Sequence, residues 1–137
     1  MKIDLTMYLP TPARAASLLA MLLLSLPPAQ AQAVPDAQVS RGQRLFMRCS
    51  ACHDVGDAKL AKIGPHLKGV LGRRVASQAG FNYSAALKAQ TFTWDEAHLL
   101  QWLERPSSVA PGTNMVFEGL PSEADRKALL AYLATQR

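Results

Sequence analysis

The residues best placed to do chemistry sit in one short run, Cys49-Ser50-Ala51-Cys52-His53. Two thiols three positions apart, with an imidazole immediately after them, form a C-x-x-C-H sequence, the attachment pattern of c-type haem. Each thiol adds across one haem vinyl group to form a thioether. The vinyls lie on neighbouring edges of the ring, so the cysteines must be close in sequence on one bent turn. His53 then offers neutral imidazole, a good iron ligand, from the same face. Three other uses of these residues compete. A thioredoxin-like redox pair sits at the end of a strand in a βαβ unit, and the flanks show no strand pattern. A zinc site needs a further pair of Cys or His ligands, and only His66 and His98 remain, unpaired. A plain disulfide, the usual reading of two cysteines in an exported chain, leaves His53 without a task. The spacing favours one covalent haem c held through Cys49 and Cys52.

An iron held by one His has an open sixth position, which a Met, His or Lys side chain can fill or a small molecule can occupy. Met115 lies in Pro111-Gly112-Thr113-Asn114-Met115, a Pro/Gly-rich stretch that reads as a loop able to wrap around the ring. Its competing role is core packing, the common use of Met. Met47 immediately precedes the attachment turn, on the wrong side to reach the opposite face. His98 is expected on the exposed side of a helix. His66 follows Pro65 and is expected to face solvent rather than iron.

The elements that must position these groups are helical. Ser40 to Arg48 reads as a first helix with Leu45 and Phe46 as its apolar contact. Residues 54–77 contain four glycines and a proline and read as mostly loop. Ser84 can cap a short helix through Ala89. Thr93-Trp94-Asp95-Glu96 reads as a capping box. Leu99, Leu100, Trp102 and Leu103 follow as an apolar face, and Pro106 ends that helix. Ser122 opens the last helix, in which Ala128, Leu129, Tyr132 and Leu133 form one stripe. The fold class is therefore all-α.

Ahead of this domain, Lys2 and Arg14 precede an apolar run of about a dozen residues, against the roughly 20 needed to span a bilayer. Ala29-Gln30-Ala31 and Ala31-Gln32-Ala33 follow. This reads as a secretory signal peptide over 1–31, cleaved after Ala31 or Ala33, rather than a retained anchor. The domain proper is placed at 38–137. Removing Lys2, Arg14 and Asp4 takes the formal net charge from +5 to +4. Arg73-Arg74 is the longest basic run and no aromatics interleave with basic residues, so nucleic acid is excluded. The charge suits steering toward an acidic protein partner.

Four blocks carry a resemblance to the class I cytochromes c: Gly42-Gln43-Arg44-Leu45-Phe46 leading into Cys49 to His53; Gly64-Pro65-His66-Leu67-Lys68-Gly69; Gly80-Phe81-Asn82-Tyr83-Ser84; and Pro111 to Met115. The resemblance runs from Gly42 to the C-terminus. It implies helices wrapped around one covalent haem, with the first and last packed crosswise. Gly42 would permit their close approach, with Phe46 meeting Leu129 or Tyr132. It implies His53 and Met115 as axial ligands, the Pro65 carbonyl as acceptor for the other imidazole N–H, and Arg73, Tyr83, Ser84 and Trp94 around the haem propionates. Two departures stand out. Trp102 occurs where the mitochondrial members have Tyr near the Met ligand, and Leu87 where they have Asn beside a buried water. Both make the Met side of the pocket drier or differently bonded. The lysine-rich docking surface is thin, with Lys59, Lys62, Lys68 and Lys88 but only Arg105 in the stretch before Met115.

The expected function is a monomeric, periplasmic electron carrier passing single electrons between acidic redox partners. The rivals are a peroxidase-like or gas-binding haem protein with an open sixth position, and a detachable subunit of an oxidoreductase. A core drawn from about 100 residues is thin, so folding is expected to depend on haem attachment.

Overall fold

The computed structural model describes residues 36–56 and 61–137. The expected signal peptide, its cleavage sites and Lys59 lie outside the described residues. Among the described residues there are five helices and no strand: α1 (Asp36–Phe46), α2 (Ala85–Lys88), α3 (Glu96–Glu104), α4 (Pro106–Val109) and α5 (Glu123–Thr135). One isolated antiparallel bridge joins Arg74 and Thr93.

The first described helix begins four residues before the expected Ser40 and stops at Phe46, short of Arg48. Asp36 sits in its first turn and Arg44 in its last, each charge favourable to the helix dipole at that end. α1 packs on α5 more extensively than any other two helices pack. Gly42 makes the approach possible: a Cβ there would stand 2.0 Å from the Ala128 carbonyl oxygen. One turn on, Phe46 meets Tyr132 with ring centroids 5.5 Å apart.

Ser84 caps α2 as expected, its hydroxyl accepting from Leu87 N–H at 3.2 Å. The start of α3 corrects the capping-box expectation. Asp95, not Thr93, is the N-cap, and its carboxylate accepts from His98 N–H at 2.8 Å. Thr93 is engaged in the bridge to Arg74, and Trp94 N–H donates to Arg73 carbonyl at 2.9 Å. The chain is still extended there and cannot turn into a helix until Asp95. α3 stops at Glu104, but Pro106 also opens a new helix, occupying the first turn of α4. Proline has no N–H to lose at that position.

Ser122 caps α5 through Asp125 N–H at 3.3 Å. Its buried surface is wider than one stripe: Arg126, Leu130 and Ala131 join Ala128, Leu129 and Leu133. The helix packs on α1 and also on α3, so two sides are covered.

Candidate haem site

The attachment residues leave α1 on consecutive turns. Cys49 and Ser50 N–H both donate to Phe46 carbonyl, at 2.8 and 3.0 Å. Cys52 and His53 N–H then both donate to Cys49 carbonyl, at 3.0 and 2.8 Å. These tight turns put Cys49, Cys52 and His53 on one wall of a cavity of about 580 Å³. Cys49 is half-buried and Cys52 is exposed. Burial pushes the Cys49 thiol up, and Arg48 partly opposes it.

His53 is only 8% exposed, and its Nδ1 lies 2.7 Å from the Pro65 carbonyl oxygen. A carbonyl can only accept, so the proton belongs on Nδ1 and the Nε2 lone pair is left for a ligand. Burial pushes the imidazole below its ordinary value, against the opposing effect of that hydrogen bond. Gly64 packs against the ring edge: a Cβ there would lie 2.4 Å from His53 Cε1 and 2.7 Å from Nδ1. Its N–H is tied to the Cys52 carbonyl at 2.8 Å. Lys62 donates to the Ser50 carbonyl. The loop therefore grips both the attachment turn and the ring it carries.

His66 corrects its expectation. Its side chain is 11% exposed and works inside the loop rather than in solvent. Nε2–H donates to Gly56 carbonyl at 2.6 Å, and Nδ1 accepts from Lys68 N–H at 3.2 Å. A histidine beside a proline can serve as a local cross-brace, and nothing in the sequence distinguishes that use. His98 sits half-exposed on α3, stacked on Phe92 at 4.4 Å, with Nδ1 2.8 Å from Asp95.

A second part of the rim holds polar donors. Arg73 donates to His66 carbonyl at 2.7 Å, to Gln78 Oε1 at 3.2 Å and to Lys68 carbonyl. Burial pushes the Tyr83 phenol up, which keeps its proton and its capacity to donate. Trp94 is 8% exposed, edge-on to both Phe92 and Trp102 at 4.8 and 5.3 Å. It is a core aromatic and a cavity wall at once. Arg73, Tyr83, Ser84 and Trp94 all line the same cavity.

Met115 lines it too, on the loop after α4, with its N–H donating to Thr113 Oγ1 at 3.3 Å. Met47 is 71% exposed and lies outside the cavity. All nine sequence-derived site residues therefore share one cavity. The helices supply its apolar walls, with Phe46 from α1, Leu87 from α2, Leu99, Trp102 and Leu103 from α3, and Leu129 and Leu133 from α5. The lining suits haem: apolar walls for a large flat ring, two thiols for its vinyls, an imidazole for its iron and donors for its two carboxylates. One contact was not legible from the sequence. The Arg48 guanidinium stands over the Phe117 ring, 5.9 Å from its centroid, joining the attachment turn to the Met115 loop. The two residues are 69 positions apart, and only folding places them together.

Known proteins match this architecture. The family model described as Cytochrome c matches residues 39–137. Cytochrome c2 of Rhodomicrobium vannielii is 46% identical over 96 residues, 70% of this chain and 77% of that protein. Cytochrome c of Tetrahymena pyriformis is 46% identical over 102 residues, 73% of this chain and 90% of that protein. The solved structure of cytochrome cH from Methylobacterium extorquens superposes with a TM-score of 0.67 at 39% identity, covering 71% of this chain and 97% of that one. The chain belongs to the cytochrome c family, as a class I monohaem member. Haem c is its cofactor, and it is a haem-based electron carrier rather than an enzyme. Among the described residues no helix is long and apolar enough to cross a membrane.

Proposed function

We propose that His53 and Met115 are the two axial ligands of the haem iron, and that the protein is an exported, periplasmic shuttle for single electrons between acidic redox partners. The observation that carries the ligand assignment is the contrast between two methionines. Met115 is half-buried in the wall of the cavity that holds His53, whereas Met47 is exposed outside it.

Cys49 and Cys52 would fix the haem, His53 would hold its iron with Nε2, and Arg73, Tyr83, Ser84 and Trp94 would receive its propionates. Bound there, haem supplies a one-electron couple. The chain's own residues tune the setting. Pro65 holds the His53 proton on Nδ1, which fixes the ring orientation and makes Nε2 more basic. Leu87, Trp102 and Leu103 give the cavity apolar walls, and a sulfur ligand in apolar surroundings favours a higher potential than two imidazoles would. Ile63 and Val116, 83% and 100% exposed, flank the cavity where a partner could approach. Arg48 in the cavity wall and Lys62, tied to the Ser50 carbonyl of the attachment turn, suit an acidic partner. The basic start, short apolar run and Ala-x-Ala sites of residues 1–33 support export.

The test is the oxidised absorption spectrum of the holoprotein. Iron–sulfur ligation gives a weak band near the red end. Wild type and Met47→Leu are expected to show it, and Met115→Leu to lack it. A band that survives in Met115→Leu refutes the assignment.

A further inference from the structure

The loop carrying Met115 leaves α4 and returns to α5. Its outward limb is tied locally, with Thr113 N–H donating to Ala110 carbonyl at 3.0 Å. Its return limb is tied to the end of α3. Leu120 N–H donates to Leu103 carbonyl at 2.8 Å. Gly119 has φ +107, and a Cβ there would stand 1.8 Å from the Glu104 carbonyl oxygen. Only glycine allows both that conformation and that approach.

Arg126 closes this arrangement from α5. It is 8% exposed, a buried cation. Nη1 donates to Leu120 carbonyl at 2.7 Å and to Pro121 carbonyl at 2.9 Å. Nη2 lies 3.7 Å from the Glu104 carboxylate. Nε is, among the described residues, the one buried side-chain polar atom without a partner. On stability grounds the placement is poor. A buried cation with an unsatisfied N–H is costly, and an apolar residue of similar volume often serves as well or better. Arg126 also lies in the first turns of α5, where the helix dipole disfavours positive charge. Ser122 already caps that helix. What Arg126 does achieve is specific: it joins the two carbonyls that end the return limb to the last residue of α3.

We propose that Arg126 is a positioning residue for Met115, clamping the return limb of the ligand loop to α3 and so setting how often the sulfur leaves the iron. This rests on the Met115 assignment above. Arg126 does not itself line the cavity.

Imidazole added to the oxidised holoprotein reads the clamp directly. It can take the sixth position only while Met115 is away, so its apparent Kd is the intrinsic value divided by the open fraction. Arg126→Met is expected to lower that Kd about tenfold, the equivalent of about 1.4 kcal/mol of clamping. Arg126→Lys, which keeps the charge but loses the fork, falls between. Val75→Ala removes buried core volume away from the cavity, and is expected to move the Kd by less than about twofold. In a Met115→Ala background, Arg126→Met changes nothing, because no sulfur competes. An unchanged Kd in Arg126→Met, or an equal fall in Val75→Ala, overturns the clamp while leaving the Met115 assignment standing. Absence of the iron–sulfur band in wild type overturns both. If Arg126→Met does not fold, Arg126→Lys against Val75→Ala decides on the same terms.

Discussion

Gly64→Ala tests the grip on His53. Gly64 is not among the positive-φ residues, so alanine fits the backbone and the effect is purely steric. The added methyl would stand 2.4 Å from His53 Cε1, 2.7 Å from Nδ1 and 2.9 Å from the Cys52 carbonyl. Carbon contacts are comfortable at about 3.5–4.0 Å, so the imidazole must retreat by about an ångström. Its 2.7 Å bond to the Pro65 carbonyl then stretches out of hydrogen-bonding range. Overpacking costs about 1–3 kcal/mol, and the lost bond adds about 0.5–1.5 kcal/mol. Guanidinium unfolding of the oxidised holoprotein should therefore show a loss of about 1.5–4.5 kcal/mol. The reduction potential should rise in parallel, because an imidazole without its acceptor is less basic and supports the oxidised iron less well. Stability within about 0.5 kcal/mol of wild type, with an unchanged potential, would refute the reasoning.

Other perturbations reach the frame around the site. Gly42→Ala drives a methyl to 2.0 Å from the Ala128 carbonyl, and should cost at least about 1–3 kcal/mol in denaturant unfolding. Arg73→Met strands carbonyls at His66 and Lys68, for a loss of about 1–3 kcal/mol; Arg73→Lys should restore less than half, since one ammonium cannot match the fork. The Asp95 cap has a pH signature. Its N-cap hydrogen bond to His98 N–H holds the folded carboxyl below the ordinary 3.8. A depressed folded value stabilises above the unfolded value and is lost as pH falls through the folded one. The stability gap between wild type and Asp95→Ala should close progressively as pH falls below 3.8.

Covalent and local features were the legible ones. Cys49 to His53 announce their chemistry because thioether attachment needs that spacing. The Ser84 and Ser122 caps are local, and their partners lie three residues away. Met115 was legible as a loop residue with a positional advantage over Met47, and the cavity adds the contrast in burial. The failures share a cause. Thr93 lost the α3 cap to Asp95 because the bridge to Arg74, nineteen residues distant, holds its backbone. His66 was expected in solvent because its acceptor, the Gly56 carbonyl, is a backbone atom ten residues away. Arg126, which the sequence does not single out, reaches Glu104 of α3 only in the fold. Each depends on chain segments brought together only by the fold.

The cavity wall also sets an electrical property. When charge at the iron changes, nearby dipoles reorient, and the energy of that reorientation slows electron transfer. Two groups in this wall are already held in place. The Pro65 carbonyl is locked to His53, Arg73 is locked to carbonyls, and Leu87 and Leu103 carry none. Dipoles fixed in advance need no rearrangement at the moment of transfer. That part of the cradle is electrically stiff, and the stiffness lowers the barrier to a change of charge at the site.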